Sequence, residues 1–290
     1  MFSKIRPLIF KLDPELAHNL AIKALKFNFK PMSNIQKDSS IETSIFGKTI
    51  SNPIGIAAGF DKDAEVYNPL FRLGFGFVEV GTITPLKQYG NLKPRLFRLE
   101  EDEALINRLG FNNSGANIVS SRIQSNSPKG LLGINIGPNK DTKNRLEDYL
   151  VCFRKFHTLG DYITINISSP NTENLRSFHN QNELDELIHA INEEKQNLKA
   201  KIPIAVKVSP DIEHANIEKI SEILLKYRIS MVIISNSTDK NRENLKNISK
   251  LEKGGLSGKP LEKKSNILIN RFYKILKNKI IIIGVGGVDS

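Results

Sequence analysis

From residue 53 onward the chain alternates short, continuously apolar runs with longer segments of helical period, and this alternation leaves few folds open. The runs lie at 53–58 (PIGIAA), 75–81 (FGFVEVG), 131–136 (LLGINI), 162–167 (YITINI), 203–208 (PIAVKV), 231–235 (MVIIS) and 280–285 (IIIGVG). Continuous rather than alternating hydrophobicity suits strands covered on both faces, as in a parallel sheet wrapped by helices. The segments between are long enough for crossovers, with apolar residues three or four apart in 64–72, 146–158, 183–198, 217–227 and 265–276. The predicted fold class is therefore α/β, a TIM-type (β/α)8 barrel of which only seven strands are recognisable. A barrel short of one strand exposes two unpaired edges. The sequence thus reads as a fragment or decayed gene product, or as a barrel whose seam a partner fills.

The carboxyl ends of these runs carry the polar chemistry. Tyr162-Ile-Thr-Ile-Asn-Ile-Ser-Ser-Pro-Asn171 passes straight from an apolar run into Asn166, Ser168, Ser169 and Asn171, the pattern of a strand that ends at the lip of a small-molecule site. The first run leads into Ala58-Gly59-Phe60-Asp61-Lys62, where small residues let a flat ring approach the backbone and Lys62 offers a positive charge. A tight turn with a surface lysine is the other reading. Thr82 ends the second run, where it is either a ligand donor or a cap, Asn135 lies within the third, and Ser235-Asn236-Ser237 end the sixth. Lys207 has apolar strand neighbours; an unpaired buried ammonium is costly, so it either meets an electron-rich group in the barrel mouth or snorkels from an edge. Asn107 offers donor and acceptor to an imide-bearing ring, although Asn and Gly also make ordinary turns. Gly254-Gly255 and Gly286-Gly287 supply backbone N–H groups able to cradle a phosphate. Buried amides need partners, so their recurrence at separate strand ends argues for one shared polar ligand.

Ahead of the barrel, Asp13-Pro14-Glu15 predicts a helix start, with Asp as cap and Pro in the first turn. Leu16, Leu20 and Ala24 line one face of that helix, widened by Ala17, Ala21, Ile22 and Leu25. So broad an apolar surface either packs against the main body or forms a lid lying on a membrane. Residues 31–40 read as a linker and 42–50 as a hairpin turned at Phe46-Gly47-Lys48. The formal charge of +11 comes from lysines scattered along helical surfaces, without zinc-finger spacing or an arginine-rich tract. That distribution argues for a solvated basic surface and against a nucleic-acid partner or a metal centre. The lone Cys152 fits a reducing compartment. No apolar run is long enough to span a bilayer, and the first ten residues lack the pattern of a secretory signal.

Taken in order, Leu12-Asp-Pro-Glu-Leu-Ala-His18, Ala57-Ala-Gly-Phe-Asp-Lys-Asp63, Lys93-Pro-Arg-Leu-Phe-Arg98, Asn107-Arg-Leu-Gly-Phe-Asn112, Asn166-Ile-Ser-Ser-Pro-Asn171, Gly254-Gly-Leu-Ser-Gly-Lys-Pro260 and Ile283-Gly-Val-Gly-Gly287 resemble the class 2, quinone-dependent dihydroorotate dehydrogenases. The resemblance implies oxidation of (S)-dihydroorotate to orotate in de novo pyrimidine biosynthesis, with FMN as hydride acceptor and a membrane quinone as final electron acceptor. It makes Ser169 the base that removes the C5 proton, at a position where class 1 members use cysteine. It assigns substrate contacts to Lys62, Asn107, Arg108, Leu109, Gly110, Phe111, Asn166, Asn171, Asn236 and Ser237. Flavin contacts would be Ala58, Gly59, Lys62, Thr82, Asn135, Asn166, Lys207, Ser235, Gly255 and Gly287, and His18 and Arg98 would face the quinone.

The same resemblance divides the chain into a helical, membrane-associating quinone-tunnel domain at 1–35 and an incomplete FMN-binding barrel at 41–290. It places the protein peripherally on a membrane, at the cytoplasmic face of a bacterial inner membrane. Two departures stand out. Ser235-Asn236-Ser237 replaces the family's usual Thr-Asn-Thr, keeping the hydroxyls, and the eighth strand with its phosphate-holding turn is missing, which weakens flavin retention. A truncated, inactive barrel copy, or another FMN-dependent oxidoreductase of a related ring, is the alternative.

Overall fold

The apolar runs pair in the order that their alternation implies. The computed structural model describes residues 2–27, 38–172 and 175–288. Two helices open the chain, α1 (Phe2–Phe10) and α2 (Pro14–Lys26), followed by a hairpin of β1 (Thr43–Ile45) and β2 (Lys48–Ile50). Then come β3 (Gly55–Ile56), α3 (Tyr67–Arg72), β4 (Phe77–Ile83), β5 (Leu96–Leu99), β6 (Ala104–Asn107), α4 (Ala116–Ser125), β7 (Leu131–Ile136) and α5 (Arg145–Phe156). The remainder is β8 (Tyr162–Asn166), α6 (Gln181–Asn197), β9 (Ile204–Val208), α7 (His214–Lys226), β10 (Met231–Ile234), β11 (Gly255–Gly258), α8 (Lys259–Leu276) and β12 (Ile281–Gly284).

Seven strands in the spatial order β3-β4-β7-β8-β9-β10-β12 make one parallel sheet. Its two edges, β3 and β12, line a common cavity of about 540 Å³ together with Thr43, Ser44 and Ile45. The sheet therefore curls until its edges face one another, and no strand joins them among the described residues. The fold is a TIM-like barrel with seven strands and an open seam.

Alternation along each strand separates two layers. Val78, Val80, Ile134, Ile163, Ile165, Val206 and Val232 face outward and pack under the helices, where Phe153 and Phe156 of α5 are fully buried. Each of these phenylalanines contributes roughly 1.5–3 kcal/mol by leaving water. Inward residues change character along the barrel axis. Phe77, Leu131, Tyr162 and Met231 fill its amino-terminal end with Ile45 and Ile50 of the hairpin as a plug. Nearer the carboxyl ends the interior carries Glu79, Asn135, Thr164, Asn166 and Lys207, all buried. Gly133 is required in this interior, because a Cβ there would lie 2.2 Å from the Tyr162 ring.

Several boundaries differ from the sequence expectation. The run at 53–58 contributes only two ladder residues, since Pro53 has no N–H and Asn52 bonds the Ile54 N–H (3.0 Å) and the Gly74 carbonyl (2.7 Å) instead. The helix expected at 64–72 starts at Tyr67, because the buried Asp61 carboxylate accepts the N–H groups of Glu65 (2.7 Å) and Val66 (2.8 Å) and Ala64 has φ 53°. The excursion before β7 contains α4, β5 and β6, and β11 from beyond β10 joins the last two in an antiparallel sheet of order β11-β6-β5; neither the helix nor the sheet was foreseen. Most of the expected linker at 31–40, and the proposed domain boundary at residue 35, lie outside the described residues.

Asp13 caps α2, its carboxylate accepting from the Leu16 N–H at 2.9 Å. Ile22 faces the barrel and is buried, with Leu25 packed against the same core, whereas Leu16 and Leu20 are 48% and 45% exposed. The packing reading holds for the Ile22 and Leu25 face, and the Leu16 and Leu20 face is left exposed. No helix among the described residues is long and apolar enough to cross a membrane. Cys152 is buried on α5, and burial pushes its thiol far above the ordinary value, so it is an inert packing group.

Candidate active site

Polar residues gather at the carboxyl ends of the strands around a cavity of about 390 Å³. The loop after β3 is strapped to the end of β4: Gly59 N–H donates to the Gly81 carbonyl (2.8 Å), and Gly81 N–H to the Asp61 carbonyl (3.0 Å). This places Ala58, Gly59 and Lys62 on the cavity wall. Gly59 has φ 110° and meets nothing where a Cβ would stand, so the wall is open at that point. Burial lowers the Lys62 pKa, an effect that the Glu15 and Asp63 carboxylates partly offset.

The opposite side is made by β6, β8, β9 and β10. Asn171 Nδ2 donates to both the carbonyl (3.1 Å) and Oδ1 (3.2 Å) of Asn107, joining two stretches far apart in the chain. Ser169 is buried, and its Oγ accepts from the Asn171 N–H at 3.2 Å. Asn166, Lys207, Asn236 and Ser237 complete this wall, while Leu109, Gly110 and Phe111 close one end. Lys207 is held below the ordinary lysine value by burial, with the Glu79 charge opposing the shift. Thr82 reaches the same cavity from β4. Arg176 ties the loops after β8 and β10 together, donating to the Ser168 (3.2 Å) and Ser237 (3.1 Å) carbonyls.

Other residues assigned from the resemblance stand elsewhere. Arg108 turns outward to Glu252 (2.6 Å) and lies over the Phe97 ring, because the nearest carboxylate is on that side. Asn135 lies beneath the cavity, bonded to Thr82 and Glu79. Ser235 is buried against Ser265 with their oxygens 3.0 Å apart. Gly255 is where a Cβ would strike Ser237, and Gly287 abuts Glu262 in the first turn of α8 and lines the open seam. The two glycine pairs thus do not border one cavity. Arg98 reaches back to the Phe10 (3.2 Å) and Leu12 (2.8 Å) carbonyls and stacks on the Phe10 ring, fastening the turn between α1 and α2.

His18 does reach the cavity from α2, edge-on to Phe60 at 5.2 Å. What holds it there is a contact that sequence reasoning missed. Glu15 receives a bidentate pair from the buried Arg95, Nη2 at 2.7 Å and Nε at 3.1 Å. Arg95 in turn donates to the Tyr89 (2.6 Å) and Asn91 (2.9 Å) carbonyls. The signal was present, since Glu15 and Arg95 both fall inside motifs, but nothing local pairs residues so far apart. Asn112 and Glu79 were likewise missed; Glu79 was visible as the one acid inside an apolar strand.

Two imidazoles, the buried His179 and the half-buried His18, give the fold a pH dependence. Burial, with Lys62 near one ring and Arg176 near the other, lowers His18 and His179 to about 4 from 6.5. Below 6.5 the unfolded chain takes up protons that the folded one refuses, so this contribution is full above 6.5 and is lost progressively down to about 4. The thermal midpoint is expected to fall across that window, and His18→Asn to show a shallower fall than the parent; equal slopes in scanning fluorimetry would remove His18 from the account.

Known proteins match this arrangement along the whole chain. Residues 40–290 fit the family described as Dihydroorotate dehydrogenase. A dihydroorotate dehydrogenase (quinone) of Idiomarina loihiensis is 44% identical over 299 residues, spanning 100% of this chain and 89% of that protein. The chain belongs to the dihydroorotate dehydrogenase family, in its quinone-dependent class. A second such enzyme, from Nitrosomonas europaea, is 42% identical, again over 100% of this chain and 87% of its own length. Among solved dihydroorotate dehydrogenases, the Eimeria tenella enzyme in complex with ferulenol superposes with a TM-score of 0.92 at 36% identity, covering 96% of this chain and 81% of that one. Among the described residues the parallel sheet has seven strands, with an open seam between β3 and β12.

Proposed function

We propose that the chain oxidises (S)-dihydroorotate to orotate in de novo pyrimidine biosynthesis, using FMN and passing electrons to a membrane quinone. The observation that carries this reading is the convergence of Lys62, Asn107, Asn166, Ser169, Lys207 and Asn236 on one cavity, from five separate strand ends. The cavity suits a flat ring with imide and carbonyl groups. Asn112 Oδ1 is a buried acceptor without a partner, Gly59 leaves room at the wall, and the lysines and amides offer donors. FMN, when bound, supplies the hydride acceptor for the substrate's C6.

Ser169 takes the C5 proton, while Lys62, Asn107, Asn166, Asn171, Asn236 and Ser237 hold the pyrimidine carbonyls, ring nitrogen and carboxylate. Ala58, Gly59, Thr82 and Lys207 are the flavin's neighbours in this reading. The α1–α2 pair forms the quinone entrance. Support comes from exposed Leu8, Leu16, Leu20 and Phe27 beside exposed Lys11, Lys23 and Lys26, an apolar and cationic surface suited to anionic lipid. In this reading the protein attaches peripherally to the cytoplasmic face of a bacterial inner membrane.

The test is anaerobic addition of dihydroorotate to protein incubated with FMN, followed by a quinone analogue in anionic vesicles. Bleaching of the flavin and its recovery with quinone are expected. Flavin uptake without bleaching points to another ring substrate. Failure to take up flavin supports an inactive barrel copy.

A further inference from the structure

We propose that Glu79 is a positioning residue that sets the direction of a hydrogen-bond chain running across the floor of the site from β4 to the end of β10. The inference deepens the flavin-site reading and rests on it for its consequence, but its own basis is the geometry of six side chains. Asn236 Nδ2 donates to Ser168 Oγ at 2.8 Å, and Ser168 Oγ to Asn166 Oδ1 at 2.6 Å. Asn166 Nδ2 then donates to Thr82 Oγ1 at 2.9 Å, Thr82 Oγ1 to Asn135 Oδ1 at 2.6 Å, and Asn135 Nδ2 to Glu79 Oε1 at 2.9 Å. Every link points the same way, and the last acceptor is a carboxylate only 2% exposed.

Amides and hydroxyls are both donor and acceptor, so a chain made of them alone is satisfied equally well in either sense. An ionised carboxylate only accepts. Its second oxygen is taken by Thr164 Oγ1 at 2.7 Å, so Asn135 must turn its NH2 toward Glu79 and its oxygen toward Thr82. Ser168 and Asn166 take the same sense from it, and at the far end the Ser237 backbone N–H, which only donates, holds Asn236 Oδ1 at 2.7 Å in the matching orientation. The consequence lies at the cavity: Asn166 and Asn236 each spend one N–H on the chain and keep the other for a ligand, so the floor offers donors to ring carbonyls. Reversed, the same residues would turn oxygens toward them. Glu79 also supplies a negative charge facing Lys207, which otherwise stands buried among apolar strands.

The test is side-chain amide hydrogen exchange of Asn135 and Asn166, read by NMR on protein without added flavin, with FMN titrated into the same samples. In the parent both amides are expected to be protected. Glu79→Gln keeps an acceptor for Asn135 but can also donate, so protection is expected to fall only in part, whereas Glu79→Met removes the acceptor and should speed exchange at both amides by about tenfold or more, the equivalent of a bond to a charged acceptor. Thr82→Val cuts the chain midway and is expected to release Asn166 while Asn135 stays protected by Glu79. Unprotected amides in the parent, protection unchanged in Glu79→Met, or equal release of both amides in Thr82→Val would each overturn the proposal. FMN affinity is expected to follow the same ranking, about tenfold weaker in Glu79→Met than in Glu79→Gln. Protected amides in a parent that binds no FMN would leave the chain's direction standing and overturn the flavin reading instead.

Discussion

Ser169→Ala is expected to slow flavin reduction by dihydroorotate by about 10²–10⁴-fold, the range for losing a positioned general base, with FMN affinity unchanged. Ser169 is buried, and its Oγ is engaged by the Asn171 N–H without a carboxylate or imidazole partner among the described residues. A lone hydroxyl is a poor base in water. What the fold supplies is orientation: the Asn171 bond, the clasp of Asn171 on Asn107, and Arg176 holding the neighbouring backbone fix the oxygen over the cavity. Alanine removes one atom from this frame and leaves the amides in place, so stability should move by no more than about 1 kcal/mol. Stopped-flow measurement of flavin bleaching separates this from a binding defect. A variant that bleaches at the parental rate would show that another group takes the proton.

The second large effect is expected from Glu15→Gln. Neutralising the partly buried Glu15 leaves the buried Arg95 guanidinium short of its charged acceptor, at a cost of about 1–3 kcal/mol. Arg95 cannot follow a lost carboxylate into solvent, because its Nη1 is held by the Tyr89 and Asn91 carbonyls. The cost is capped by the free energy with which α2 docks on β5 and α3; beyond it, the helix lifts away. Protease sensitivity confined to the first two helices is therefore expected, with quinone-dependent turnover falling more than dihydroorotate-driven bleaching. Acid should mimic the variant. Hydrogen bonding to Arg95 holds the Glu15 pKa below its ordinary 4.5, so the clamp contributes fully above that value and is lost as pH falls through the lower, folded one. A Glu15→Gln protein with parental quinone turnover and no new cleavage would show that the clamp does not hold the lid.

How much of this was legible beforehand depends on the range over which the deciding interactions act. Continuous apolar runs identify parallel strands because burial on both faces leaves its mark residue by residue, and β7 falls at Leu131–Ile136 as expected. The cap at Asp13 is equally local. The antiparallel sheet was hidden because β6 pairs with β11 about half the chain away, as Asn107 opposite Gly255. Helix α4 was hidden because only Ala116, Val119 and Ile123 mark its apolar side among serines and asparagines.

The sequence by itself determined the alternation of strands and helices, the polar character of the strand ends, and the family likeness that names Ser169 and Lys62. Only the tertiary structure decided which polar groups meet: that Arg108 leaves the cavity for Glu252, that Arg98 fastens a helix turn, and that five amide and hydroxyl side chains line up toward Glu79. The reason is physical. Burial is written in composition and period, whereas a charge or amide settles on whichever partner the fold brings within about 3 Å, and leaving it without one costs more than any local preference can return.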